Sequence, residues 1–162
     1  MSRAGVEQLL YLMDQAFEAR QAHDWHSLLS NLDGVRDEDW MCVPDGGARS
    51  IAQIAQHVGE AKCIYANKAF GEGTMSWDDF GPRVVNVPPK AETIDWLRES
   101  HAILRECVAT LDDDELTKPR MAHWGTTSET RWLIATMIEH DLYHSGEINY
   151  IRAPAQGDDE RY

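Results

Sequence analysis

The chain has 162 residues, 43% hydrophobic and 27% charged, the composition of a globular domain with enough length to bury a core. Its formal net charge of −13 repels a phosphate backbone, so nucleic acid and anionic membrane surfaces are excluded as expected partners. The three cysteines, Cys42, Cys63 and Cys107, form no C-x-x-C pair, so they read as free thiols of a reducing cytoplasm.

The opening stretch carries Asp14 and Glu18 within its apolar periodicity, so it reads as neither a secretion signal nor a membrane span. Apolar spacing predicts a first helix over residues 6–31, with Val6, Leu10, Met13, Phe17, Trp25, Leu28 and Leu32 near one stripe. The polar run "EARQAHD" interrupts that stripe, so one turn is expected to face a polar cavity. A connection rich in Gly and Asp follows, with Pro44 preventing a continuous helix. Ser50 is the expected cap of a second helix, "IAQIAQHVGEAKCIYANKAF", which Gly71 and Gly73 stop.

The next segment, "GEGTMSWDDFGPRVVNVPPK", exceeds what neighbouring antiparallel helices need, which predicts a crossover spanning the bundle. Thr93 is the expected start of a third helix, along which Ile94, Leu97, His101, Leu104, Val108 and Leu111 follow 3-4 spacing. "DDDELTKPRMAHWGTTS" reads as a loop, and Ser128 opens a fourth helix that Pro154 closes. No segment alternates with the period of a strand. The expectation is an all-α four-helix bundle with a long crossover over residues 1–154, and a polar tail over 155–162.

Two histidines in "IEHDLYHSGEI" are the first chemical signal. His140 and His144 lie roughly 40° apart on a helix, one turn above the other, so both can reach one ion. They share a face with Leu133, Met137, Ile148 and Ile151, which turns them inward. A buried imidazole left unpaired costs roughly 1–3 kcal/mol, so the pair needs hydrogen-bond partners or a metal. His57 shares its face with Ser50, Ile54, Ala61 and Ile64 and points inward on the second helix. Three inward histidines suit a zinc or nickel site with an open position, although three satisfied core histidines are the plainer alternative. A di-iron bundle is set aside, because the chain has no Glu-x-x-His.

"RSIAQIAQHVGEA", then "RWLIATMIEHDLYHSGEI", with "LLSNLDGVRDEDWMCVPDGGARS" upstream, strongly resembles the DinB-like (DinB/YfiT) metalloenzyme superfamily. The resemblance covers most of the chain. It implies that His57, His140 and His144 are the metal triad, with none of the three substituted. It further implies a divalent transition metal, often nickel or zinc, and frequently a homodimer. Relatives of known activity include thiol-dependent S-transferases and isomerases, so the implied partners are a low-molecular-weight thiol and an electrophile.

Other polar residues are weighed beside the triad. Glu147 shares the ligand face and could orient an imidazole, coordinate directly or act as a base toward a water; it could equally be a solvated carboxylate. Glu60, roughly 60° from His57 on the helix wheel, is a second candidate for approaching the metal. These two carboxylates are the catalytic candidates of a hydrolytic reading, whereas thiol transfer needs no protein base. A third reading is a non-catalytic metal- or ligand-binding module. His101 reads as a core histidine before a ligand, and His23 and His26 could reach a polar cavity. Trp124, Trp132 and Tyr143 are expected to pack the core or rim a pocket. Cys63 points away from His57.

Overall fold

The computed structural model describes residues 2–19, 26–81 and 88–157. Helix α1, Ala4–Glu18, buries Val6, Leu10, Met13 and Phe17 at the predicted spacing. It ends earlier than the sequence predicts. Ala19 turns to an extended conformation (ψ 136°), and a separate helix α2, Leu28–Asp33, starts behind Ser27. The Ser27 hydroxyl accepts from the Ser30 amide, a local cap that favours a new start over a continued helix. The predicted face residue Trp25 lies outside the described residues.

Helix α3, Ile51–Phe70, begins as expected. The Ser50 hydroxyl accepts from the Gln53 amide at 3.2 Å, while the Gln53 carboxamide accepts from the Ser50 amide at 2.8 Å. Helix α4, Lys90–Ala109, starts three residues before the predicted Thr93. Pro89 stands at its cap, where proline's fixed φ suits helix entry, and the Thr93 hydroxyl donates back to the Pro88 and Pro89 carbonyls.

The expected loop before the last helix contains a hairpin. Strand β1, Pro119–Met121, pairs antiparallel with β2, Thr127–Glu129. Strands of three residues carry too few positions for alternation to be legible. Gly125 closes the turn at φ +87°, and Lys118 fastens its base by accepting from both the amide and the hydroxyl of Thr130. Helix α5, Thr130–Gln156, therefore starts two residues after the predicted Ser128. It also runs past Pro154 to a left-handed Gly157. The helix bond that Pro154 forfeits would have gone to Tyr150, on the exposed side of the helix. Gln156 is tied down as well, donating to Gly34 O at 3.1 Å, so the helix extends into what reads as tail.

Among the described residues, four long helices and the short α2 make an all-α bundle. One apolar cluster joins Phe17, Leu28, Ile54, Val58, Leu97 and Ile148; a second joins Met13, Tyr65, Leu104, Val108, Ile134 and Met137. Following the chain through both clusters gives the directions. α1 and α5 run one way, and α3 and α4 run the other. α3 and α4 are thus parallel neighbours, which is why the connection between them is long. Gly59 lies at their contact: a Cβ there would meet the Trp96 ring at 2.3 Å.

Between the two apolar clusters lies a polar layer containing Lys62, Ser100, His101, Asp141, His144 and Ser145, all buried. Among the described residues, no helix is long and apolar enough to cross a membrane.

Candidate metal centre

His57 from α3 and His140 and His144 from α5 converge at one edge of the polar layer. His140 Nε2 is 3.3 Å from His57 Nε2 and 3.2 Å from His144 Nε2, and all three ligand-type nitrogens lie within 4.8 Å of one another. A tetrahedral ion with bonds of about 2.05 Å to imidazole places its ligand nitrogens roughly 3.3 Å apart. The residues present fit such an ion.

The outer side of the cluster fixes a tautomer. His144 Nδ1 lies 2.7 Å from a Glu147 carboxylate oxygen, which makes Nδ1 the donor and leaves a bare lone pair on Nε2. Arg49, in the loop before α3, holds the same carboxylate at 3.2 Å. Burial, followed by the charges of His144 and His57, pushes the His140 pKa down to about 3. Burial also lowers that of His144, against the upward pull of Glu147. Both imidazoles are therefore uncharged at neutral pH, the form that binds a cation.

Aromatic rings border the cluster. Trp77, in a 3-10 turn of the crossover, stacks on His57 with centroids 5.1 Å apart and planes at 19°. Tyr143 sets its ring edge-on to His144 at 5.0 Å. The hairpin turn carries His123, whose ring lies 5.8 Å from Trp77, 4.6 Å from Tyr65 and 5.0 Å from Trp124.

Residues 20–148 match the DinB superfamily. The chain belongs to this superfamily. A solved structure of a DinB-like protein from Bacillus cereus ATCC 10987 shares the fold with a TM-score of 0.65 at 16% identity, covering 94% of this chain and 91% of that one. No curated protein matches the sequence.

The other candidates take separate places in this DinB-superfamily chain. Glu147 lies behind His144, on the ring nitrogen turned away from the cluster. Glu60 is fully buried but is not part of the cluster. His101 stacks on Phe17 at 3.9 Å within the polar layer and approaches Asp14 at 3.6 Å, apart from the triad. His26 is exposed, and His23 lies outside the described residues. Trp132, like Trp124 and Tyr143, is exposed rather than packed in the core, and the Arg131 guanidinium lies 4.8 Å over its ring. The cysteines are free, and Cys63 lies 3.5 Å from the Ser100 hydroxyl.

Sequence reasoning missed Arg49, Trp77 and His123, whose loops set no periodicity. It also missed Lys62 and Asp141. Lys62 left a signal, because its helical neighbours Val58 and Ala66 are both buried.

Proposed function

We propose that this DinB-superfamily protein holds one divalent transition-metal ion, nickel or zinc, on His57, His140 and His144, and uses it to activate a low-molecular-weight thiol for S-transfer. The observation that carries this reading is the approach of three Nε2 atoms from two helices, with Glu147 on the far side of His144. An ion held by three uncharged imidazoles keeps its full charge and favours an anionic partner, and a thiol, with a pKa of about 8.5, ionises far more readily than water.

The chain's own groups favour thiol over water chemistry. Glu147 is engaged by His144 Nδ1 and by Arg49, so it is not a spare base, and thiol transfer needs none. The half-buried ring of Trp77 presents an apolar wall beside His57, and the ring of Tyr143 stands edge-on to His144. In the proposed reaction the thiol proton passes to solvent and sulfur bonds to an electrophilic carbon. The leaving group departs with its electron pair.

Elemental analysis followed by thiol titration tests this. About one metal per chain is expected, with a small cysteine-derived thiol bound by the metal-loaded protein and not by the apo protein. Ester or amide turnover that disappears in Glu147→Gln with metal retained would favour a hydrolase instead.

We also propose that the homodimer forms on the exposed face of α5. Trp132, Leu142, Tyr143, Gly146 and Tyr150 line that face, and a Cβ on Gly146 would meet nothing of its own chain. Glu139 and the Arg131 guanidinium over the Trp132 ring are opposite charges on this stripe, so a second copy of a −13 chain meets little repulsion there. A monomeric mass for the wild-type protein in solution would overturn this.

A further inference from the structure

The buried pair Lys62 and Asp141 has no part in the chemistry above. Lys62 Nζ lies 2.6 Å from Asp141 Oδ2, and both side chains are 3% exposed. The pair joins α3 to α5, the two helices that also bring the histidines together. It occupies the polar layer between the two apolar clusters, where Lys62 also lies 5.0 Å over the Phe17 ring of α1. Asp141 directly follows His140, and its Oδ1 has no hydrogen-bond partner among the described residues.

Stability alone is a weak explanation for such a pair. Moving two charges out of water costs about as much as their attraction returns, and apolar replacements of similar volume are often neutral or stabilising. What the pair supplies is direction. An apolar seam tolerates small sliding of one helix on another, whereas a 2.6 Å ion pair holds at one relative placement. Two imidazoles such as His57 and His140 offer each other at most one hydrogen bond, so they hold that placement weakly.

We propose that Lys62 and Asp141 are positioning residues, a metal-independent clamp that sets α3 against α5 so that His57 meets His140 and His144 before an ion arrives. The proposal rests on the metal reading of those histidines. It assigns the clamp to preorganisation, because a site assembled in advance loses less affinity to ordering its ligands.

The test compares wild type with the double variant Lys62→Met/Asp141→Leu, which removes both charges and strands neither. Three quantities are read: the apo melting temperature, the affinity for Zn(II), and the visible absorption of the Co(II)-loaded protein. The expected result is an apo melting temperature equal to or above wild type, Zn(II) affinity at least tenfold weaker, and an altered Co(II) spectrum. In the apo state, the imidazole signals of His57, His140 and His144 should be single and sharp in wild type and broadened in the variant. Unchanged affinity, Co(II) spectrum and imidazole signals would overturn the clamp while leaving the metal site intact. A fall in apo melting temperature matching the loss of affinity would also overturn it, making the pair a structural staple. A wild-type protein that binds no Zn(II) or Co(II) would overturn both the clamp and the metal reading.

Discussion

Glu147 and His144 stand one helical turn apart on α5, and the carboxylate of the first accepts from Nδ1 of the second at 2.7 Å. Arg49 closes the far side of that carboxylate, so a loop residue before α3 helps orient an imidazole on α5. Outer partners of this kind typically contribute 10- to 100-fold to metal affinity. Glu147→Ala is therefore expected to weaken Zn(II) binding by about that factor, with stoichiometry near one at saturating metal. Glu147→Gln, whose carbonyl still accepts from Nδ1, should lose less. Isothermal titration of both variants checks the order. Equal losses would mean that the charge matters and the tautomer does not.

Removing a member of the triad should do more. His57→Ala, His140→Ala and His144→Ala each leave two of three nitrogens and are expected to lose most of the metal after dialysis, measured by elemental analysis. Stripping the wild-type metal should lower the melting temperature, since an ion bound only by the folded state stabilises it by mass action. Wild-type metal content in all three variants would remove the basis for the site.

His101 predicts a pH dependence. Burial, followed by the charge of Lys62, pushes its pKa from 6.5 down to about 3. The unfolded chain therefore binds a proton below about pH 6.5 that the folded chain refuses, and stability falls as pH drops from 6.5 toward 3. The slope from one such group approaches about 1.4 kcal/mol per pH unit. His101→Phe, which keeps a flat ring against Phe17, should shallow the loss of melting temperature between pH 7 and 5 in the apo protein. An unchanged slope would show that other groups carry the acid sensitivity.

Gly59 is expected to tolerate no side chain. A methyl group there would stand 2.3 Å from the Trp96 ring, so α3 and α4 would have to move apart. Gly59→Ala should cost roughly 1–3 kcal/mol by overpacking, despite the better helix propensity of alanine. Chemical denaturation measures it, and a gain in stability would show that Trp96 can swing aside.

The long helices were legible because each must bury a stripe, and that stripe recurs every three or four residues: Leu97, His101, Leu104 and Val108 read as buried and are buried. The capping box at Ser50 was half-legible, since the serine was read and the answering Gln53 was not. The break after Glu18, the start at Lys90 and the passage through Pro154 depend on which caps and carbonyls find partners. The three-residue strands depend on a turn and on Thr130 fastening to Lys118, contacts that leave no period behind.

The sequence by itself determined that His57, His140 and His144 face inward on two helices, because helical spacing alone sets which residues share a face. Only the tertiary structure decided that the three meet, and on which nitrogens. That depends on how α3 lies against α5, and no property of either helix alone specifies it. The same holds for Glu147, legible as a neighbour of His144 but not as the acceptor that Arg49 pins behind it. Trp77 and His123 reach the site from a crossover and a hairpin turn, and their nearness exists only after the bundle has closed.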